Sequence, residues 1–200
     1  DGIERVRQGT SFDAIDKLLK LAVARYIGPS PEIVKSKQKC IEVLEKADTP
    51  LLAAAIVWNR EVLDSDDLLV CARLLNSKSD LASLRVLVAL TRSGFEGTRL
   101  AAIESLSTYA WAEKEAGIAL VRLLPESSAK EAVYIARACR ALRFRAAISS
   151  LVSRLDHGHM SGTDRQIVLQ CVSQLQSLSD AEAEPKPWRR VIEGADIQGW

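Results

Sequence analysis

At 200 residues the chain is long enough to bury a sizeable core as one compact domain or one continuous stack, so its length does not demand a second domain. Lys and Arg number 27 against 26 Asp and Glu, a formal charge of +1. That balance does not announce a nucleic-acid or membrane-surface binder, and any electrostatic recognition has to be local. No apolar run approaches the length that spans a bilayer, and the first thirty residues lack the charged, apolar and small-residue order of a signal peptide. The chain begins at Asp1 and not at an initiator Met, and is expected to be either processed or a segment of a longer protein.

Leu and Ala carry most of the apolar content, a bias toward helix, and the helical period recurs along the chain where the alternating strand period is almost absent. Ile15, Leu18, Leu19, Ala22, Val23 and Tyr26 share one face and predict a helix over 12–26. After the break at Gly28-Pro29, Ser30-Pro31 places a capping oxygen before a proline whose missing N–H costs nothing in a first turn, and a helix over 33–46 follows. Thr49-Pro50 repeats that signal before a helix over 51–63. Further helices are predicted over 66–77, 80–92, 98–110, 113–124, 129–143, 145–156 and 164–178, separated by short stretches rich in Gly, Pro, Ser, Asn and Asp.

Alternate helices in this series begin near 33, 66, 98, 129 and 164, so pairs of helices recur about every 33 residues. Such a period marks an α-helical array, in which each hairpin covers its neighbour because none buries its apolar face alone. Thr98-Arg99-Leu100-Ala101-Ala102-Ile103-Glu104-Ser105-Leu106 has an Arg early in a first helix, ahead of Ala and Leu at helical spacing. Glu115-Ala116-Gly117-Ile118-Ala119-Leu120-Val121-Arg122-Leu123-Leu124 ends in a Leu-rich turn. Together they resemble one unit of the HEAT-repeat, armadillo-like family, and the pattern is fainter at 66 and 129. The resemblance implies an all-α, right-handed α-solenoid of about five hairpins over 1–178, acting as a non-catalytic scaffold or adaptor. It brings no catalytic residue with it.

Cys40, Cys71, Cys139 and Cys171 are separated by 31, 68 and 32 residues, about one, two and one repeat. Equivalent positions along an array do not converge on a metal, so these read as reduced core thiols of a reducing compartment, with the cytoplasm as the expected location. Asp64, Asp66 and Asp67 lack the ligand order of a calcium loop and read as helix-start caps. The pair His157 and His159 lacks a third ligand nearby, so neither a metal nor a cofactor is expected.

The most informative chemistry is basic. Arg137, Arg140 and Arg143 recur at every third residue of a predicted helix and Arg145 follows, all with the planar donor set suited to carboxylate and phosphate. Residues 129–165 hold seven bases against three acids, while 42–80 hold eight acids against four bases, so local charge runs from −4 to +4. The expected partner is another protein with an acidic or peptide-like surface, since a duplex binder would show a basic stripe throughout.

The helical pattern stops at Leu178. Residues 179–200 read as a Pro-containing tail in which Trp188, Ile192, Ile197 and Trp200 serve as apolar anchors, docking on this chain or on a neighbour. Two other activities use HEAT-like scaffolds: alkylpurine DNA glycosylases of bacteria, and lyase-like chaperones that hold a pigment. Trp58, Trp111 and Tyr109 supply aromatic side chains for the first, without a motif match.

Overall fold

The computed structural model describes residues 11–24, 30–76, 78–157 and 159–178. Among these there are ten α-helices, three short 3₁₀ turns and no strand. The helices are α1 Phe12–Val23, α2 Pro31–Glu45, α3 Thr49–Asn59, α4 Ser65–Asn76, α5 Leu81–Leu90, α6 Glu96–Leu106, α7 Glu113–Leu123, α8 Ala129–Ala141, α9 Ile148–His157 and α10 Gly162–Gln176. The all-helical expectation is met and each predicted helix has a counterpart. Residue 178, where the domain boundary is expected, is the last described residue, and the tail expected over 179–200 lies outside the described residues.

Most starts follow side-chain capping. Ser30 accepts from the Ile33 N–H with Pro31 behind it, Asp80 accepts from Ser83, and Ser161 from Asp164. Ser128 and Glu131 close a reciprocal box, with Ser128 N donating to Glu131 Oε2 at 2.8 Å and Glu131 N to Ser128 Oγ at 3.2 Å. At the third helix the cap is Asp48, one residue before the predicted Thr49, because its carboxylate reaches the Leu51 N–H at 3.2 Å. The acidic cluster caps as expected: Asp64 Oδ1 accepts from the N–H groups of Asp66 and Asp67, and Asp67 Oδ2 accepts from that of Asp64.

The chain divides between Tyr109 and Ala110 into two compact units. In the first, α1, α3 and α5 form one series of neighbours, and α4 lies between α2 and α6 in a second. Ile15, Leu19, Leu44, Leu52, Ile56, Leu75, Leu87, Ile103 and Leu106 are buried between these helices, each worth about 1.5–3 kcal/mol. The α4–α6 contact is the most extensive, and it is held in register by hydroxyls that donate to main-chain carbonyls one repeat back. Thr98 Oγ1 bonds Ser65 O at 3.1 Å, Ser105 Oγ bonds Ala72 O at 3.1 Å, and Tyr109 Oη bonds Leu75 O at 2.7 Å. Thr98, Ser105 and Tyr109 are all buried, so each of these polar groups needs its partner. Lys78 Nζ reaches the carbonyls of Glu45 and Ala47 at 2.6 and 3.0 Å and satisfies the open end of α2. Across α1 and α3, buried Asn59 donates through Nδ2 to Asp16 Oδ1 at 2.6 Å.

In the second unit α8 and α10 pack side by side, with α9 against α10 and α7 against α8. Leu120, Ile135, Cys139, Leu151, Val168 and Leu175 are buried there. The helix predicted over 129–143 ends at Ala141. Phe144 N donates to Cys139 O at 2.9 Å and Arg143 N to Arg140 O at 3.0 Å, with Arg143 at φ 60°. This is a complete Schellman ending, and it turns Phe144 inward. The ring lies over Gly117 in the middle of α7, so closely that a Cβ at 117 would fall within its van der Waals envelope.

Two outcomes follow from this packing. Gly117→Ala gains about 1 kcal/mol of helix propensity, yet overpacking against Phe144 outweighs it, for a net loss of about 1–2 kcal/mol in chemical denaturation. Adding Phe144→Leu makes the alanine less costly than it is beside Phe144. For Asp16, burial pushes the carboxyl up, but the hydrogen bonds from Lys20 and Asn59 and the charges of Lys20 and Lys17 hold it below its ordinary value. A carboxyl lowered on folding stabilises above its unfolded pKa, and that contribution is lost as pH falls through the folded value, in the window below about pH 4. Asp16→Asn therefore flattens the acid limb of a denaturation-versus-pH profile relative to wild type.

Candidate functional site

The arginine series divides where α8 ends. Arg137 and Arg140 are exposed on α8, and Arg140 Nη1 donates to Gln174 Oε1 of α10 at 3.2 Å. Both lie near Cys171: burial pushes that thiol up, and the charges of Arg140 and Arg137 pull it part of the way back. The two therefore flank the side of α8 that meets α10. Arg143 does not continue their face, because the left-handed turn that ends the helix carries it away from the i, i+3 row. Arg145 is half-buried in the 3₁₀ turn Arg145–Ala147. Trp188, Ile192, Ile197 and Trp200 lie outside the described residues.

Other groups singled out from the sequence have structural places. All four cysteines are buried and unpaired, and burial pushes the Cys71 and Cys139 thiols up to about 12, so they stay protonated at neutral pH. Among the described residues no group of three or more His, Cys, Asp or Glu converges to hold a metal ion. His157 and His159 are exposed, and His157 sits in the last turn of α9 with Nδ1 2.9 Å from Ser153 O. Tyr109 is 1% exposed and bonded to the main chain, and is a core residue of the first unit.

Two surface features were not read as binding surfaces from the sequence, although Trp58 and His157 were each named there. At the end of α3 and in the turn after it, Trp58 is 75% exposed and Val62 77%, with Val57 beside them half-exposed. Phe95, just ahead of α6, is exposed as well. A signal was present: Leu51 to Trp58 is an unbroken apolar run, and a helix that buries one face leaves part of such a run in water.

The second feature is a groove of about 430 Å³ in the other unit. Val121, Leu124 and Pro125 at the end of α7 form one wall; Ser149, Ser150, Ser153, Arg154 and His157 of α9 form the other. These α9 positions share a helical face opposite the buried Leu151 and Leu155, so a polar stripe in the sequence foreshadowed the wall. Arg154 crosses to the turn after α7, donating from Nη2 to Ser127 O at 2.7 Å and from Nε to Ser127 Oγ at 3.5 Å.

Comparison of the chain with models of known families, with curated proteins and with solved structures finds no match. Any functional reading rests on the chain's own surfaces.

The turn at Arg143 gives a direct test of its geometry. An L-residue at φ 60° costs about 1 kcal/mol that glycine avoids, so Arg143→Gly raises stability by about that amount. The thermal midpoint rises by roughly 2–4 °C for a chain of this size. A fall in midpoint would show that the arginine side chain contributes more than its backbone strain costs.

Proposed function

We propose that the chain is a non-catalytic protein-binding scaffold or adaptor module, built as a right-handed HEAT-like α-solenoid of about five hairpins and working within a larger assembly. The architecture is supported by helix starts at Pro31, Ser65, Glu96, Ala129 and Gly162, which recur at intervals of 34, 31, 33 and 33 residues. Bonds that link residues 31–34 apart in sequence support it further. Side-by-side packing of alternate helices is what a repeat array requires. The described helices include none long and apolar enough to cross a membrane, and the buried, unpaired thiols fit the reducing cytoplasm.

One observation carries the binding role: Trp58 stands 75% exposed beside exposed Val57 and Val62. Tryptophan is the residue most enriched among interface hot spots, and an apolar cluster left in water gains free energy when a partner covers it. Arg137 and Arg140 add a separate surface for a carboxylate-bearing or peptide-like partner. A protein ligand uses both chemistries, apolar anchoring for affinity and charge for selectivity.

The test begins with affinity capture of the partner from the source organism, followed by titration with surface variants. Trp58→Ala leaves thermal stability within about 0.5 kcal/mol, because the side chain is exposed. It weakens the partner by about 2 kcal/mol or more, roughly 30-fold in Kd. Arg137→Ala with Arg140→Ala reduces the salt dependence of binding. Equal affinity of the wild type and both variants for the captured partner overturns the reading.

A further inference from the structure

The groove between the end of α7 and α9 is lined by an arginine, a histidine and three serines, with no carboxylate among its lining residues. Arg154 is half-buried there, and its described hydrogen bonds go to the main-chain oxygen and hydroxyl of Ser127. A neutral carbonyl orients a guanidinium without cancelling its charge, and arginine is seldom drawn out of water without a counter-ion. The groove therefore holds a fixed positive charge whose plane is set before any ligand arrives. Preorganisation of that kind removes part of the entropy cost of binding an anion.

The remaining polar groups narrow the class of anion. Ser149, Ser150 and Ser153 place hydroxyls along the same wall. His157 Nδ1 lies 2.9 Å from the carbonyl of Ser153, and since a carbonyl only accepts, Nδ1 carries a proton and donates there. The wall thus offers the Arg154 guanidinium and three serine hydroxyls as donors. A carboxylate presents two acceptor oxygens, whereas a phosphate monoester presents three terminal oxygens and close to two negative charges at neutral pH, and so matches more of these donors at once. The facing wall offers apolar surface through Val121 and Pro125, over the buried Leu124, to the group that carries the phosphate, and about 430 Å³ lies within the range of small-ligand sites.

We propose that this groove binds a phosphate monoester carried on a small apolar body. The site stands on the second unit's own residues and does not depend on the solenoid or scaffold reading.

The experiment titrates the full chain with phenyl phosphate, inorganic phosphate and benzoate by calorimetry and by ¹⁵N and side-chain NMR. Phenyl phosphate binds saturably and about tenfold or more tighter than either control, shifting the His157 ring and the Ser149 to Arg154 amides. Arg154→Gln weakens it by about tenfold or more. His157→Gln, an exposed substitution that leaves the fold unchanged by circular dichroism, narrows the preference for phenyl phosphate over benzoate, and it decides the matter alone if the Arg154 variant does not fold. Absence of saturable binding at roughly 10 mM, benzoate binding as tightly as phenyl phosphate, or affinity unchanged in the folded variants overturns the proposal.

Discussion

Everything in the first unit depends on a helix finding its partner about 33 residues away. The helices are 10–15 residues long, too short to be stable in water by propensity alone, and a single hairpin leaves one apolar face uncovered. The contact between α4 and α6 supplies what is missing. Leucines and alanines fill it, while Thr98, Ser105 and Tyr109 fix its register by donating to carbonyls at the head, middle and end of α4. A slip of one residue would bury three hydroxyls without acceptors, so these bonds specify the pairing more than they strengthen it. The α8–α10 pair has a comparable apolar contact in the second unit, with its hydrogen bond at the exposed Arg140–Gln174 rim.

Helix identity and period were legible because most helices state themselves locally, through a 3.6-residue apolar stripe, a capping Ser or Asp, or both. What was missed depends on neighbours. The spacing of Arg137, Arg140 and Arg143 fits a continuing helix, but Phe144 has a better place against Gly117 than a further helical turn would provide, and the chain accepts a left-handed Arg143 to reach it. Asp48 and Thr49 are both capping residues, and only the position of the Leu51 N–H decides between them. In α3 the apolar run hides which side faces the core, so Trp58 could be placed in water only once Leu52 and Ile56 were seen to occupy the interior.

Positive charge is used in two ways. Lys78, Arg154 and Arg165 turn inward to carbonyls that helix ends or turns leave open, Arg165 through Leu155 O at 2.7 Å. Arg137 and Arg140 remain exposed on α8. A count of basic residues along the chain does not separate these roles, since Arg154 and Arg165 contribute to the same +4 stretch as Arg137. The difference lies in whether an orphan carbonyl stands within reach of the side chain.

The buried thiols make the protein a recorder of its own breathing. With burial pushing the Cys71 and Cys139 thiols up to about 12, both stay protonated at neutral pH, and an alkylating reagent meets little thiolate until the surrounding helices part. Cys40 and Cys71 lie in one compact unit and Cys139 and Cys171 in the other. The speed at which Cys71 and Cys139 are alkylated therefore counts how often the unit of each opens, without any added label.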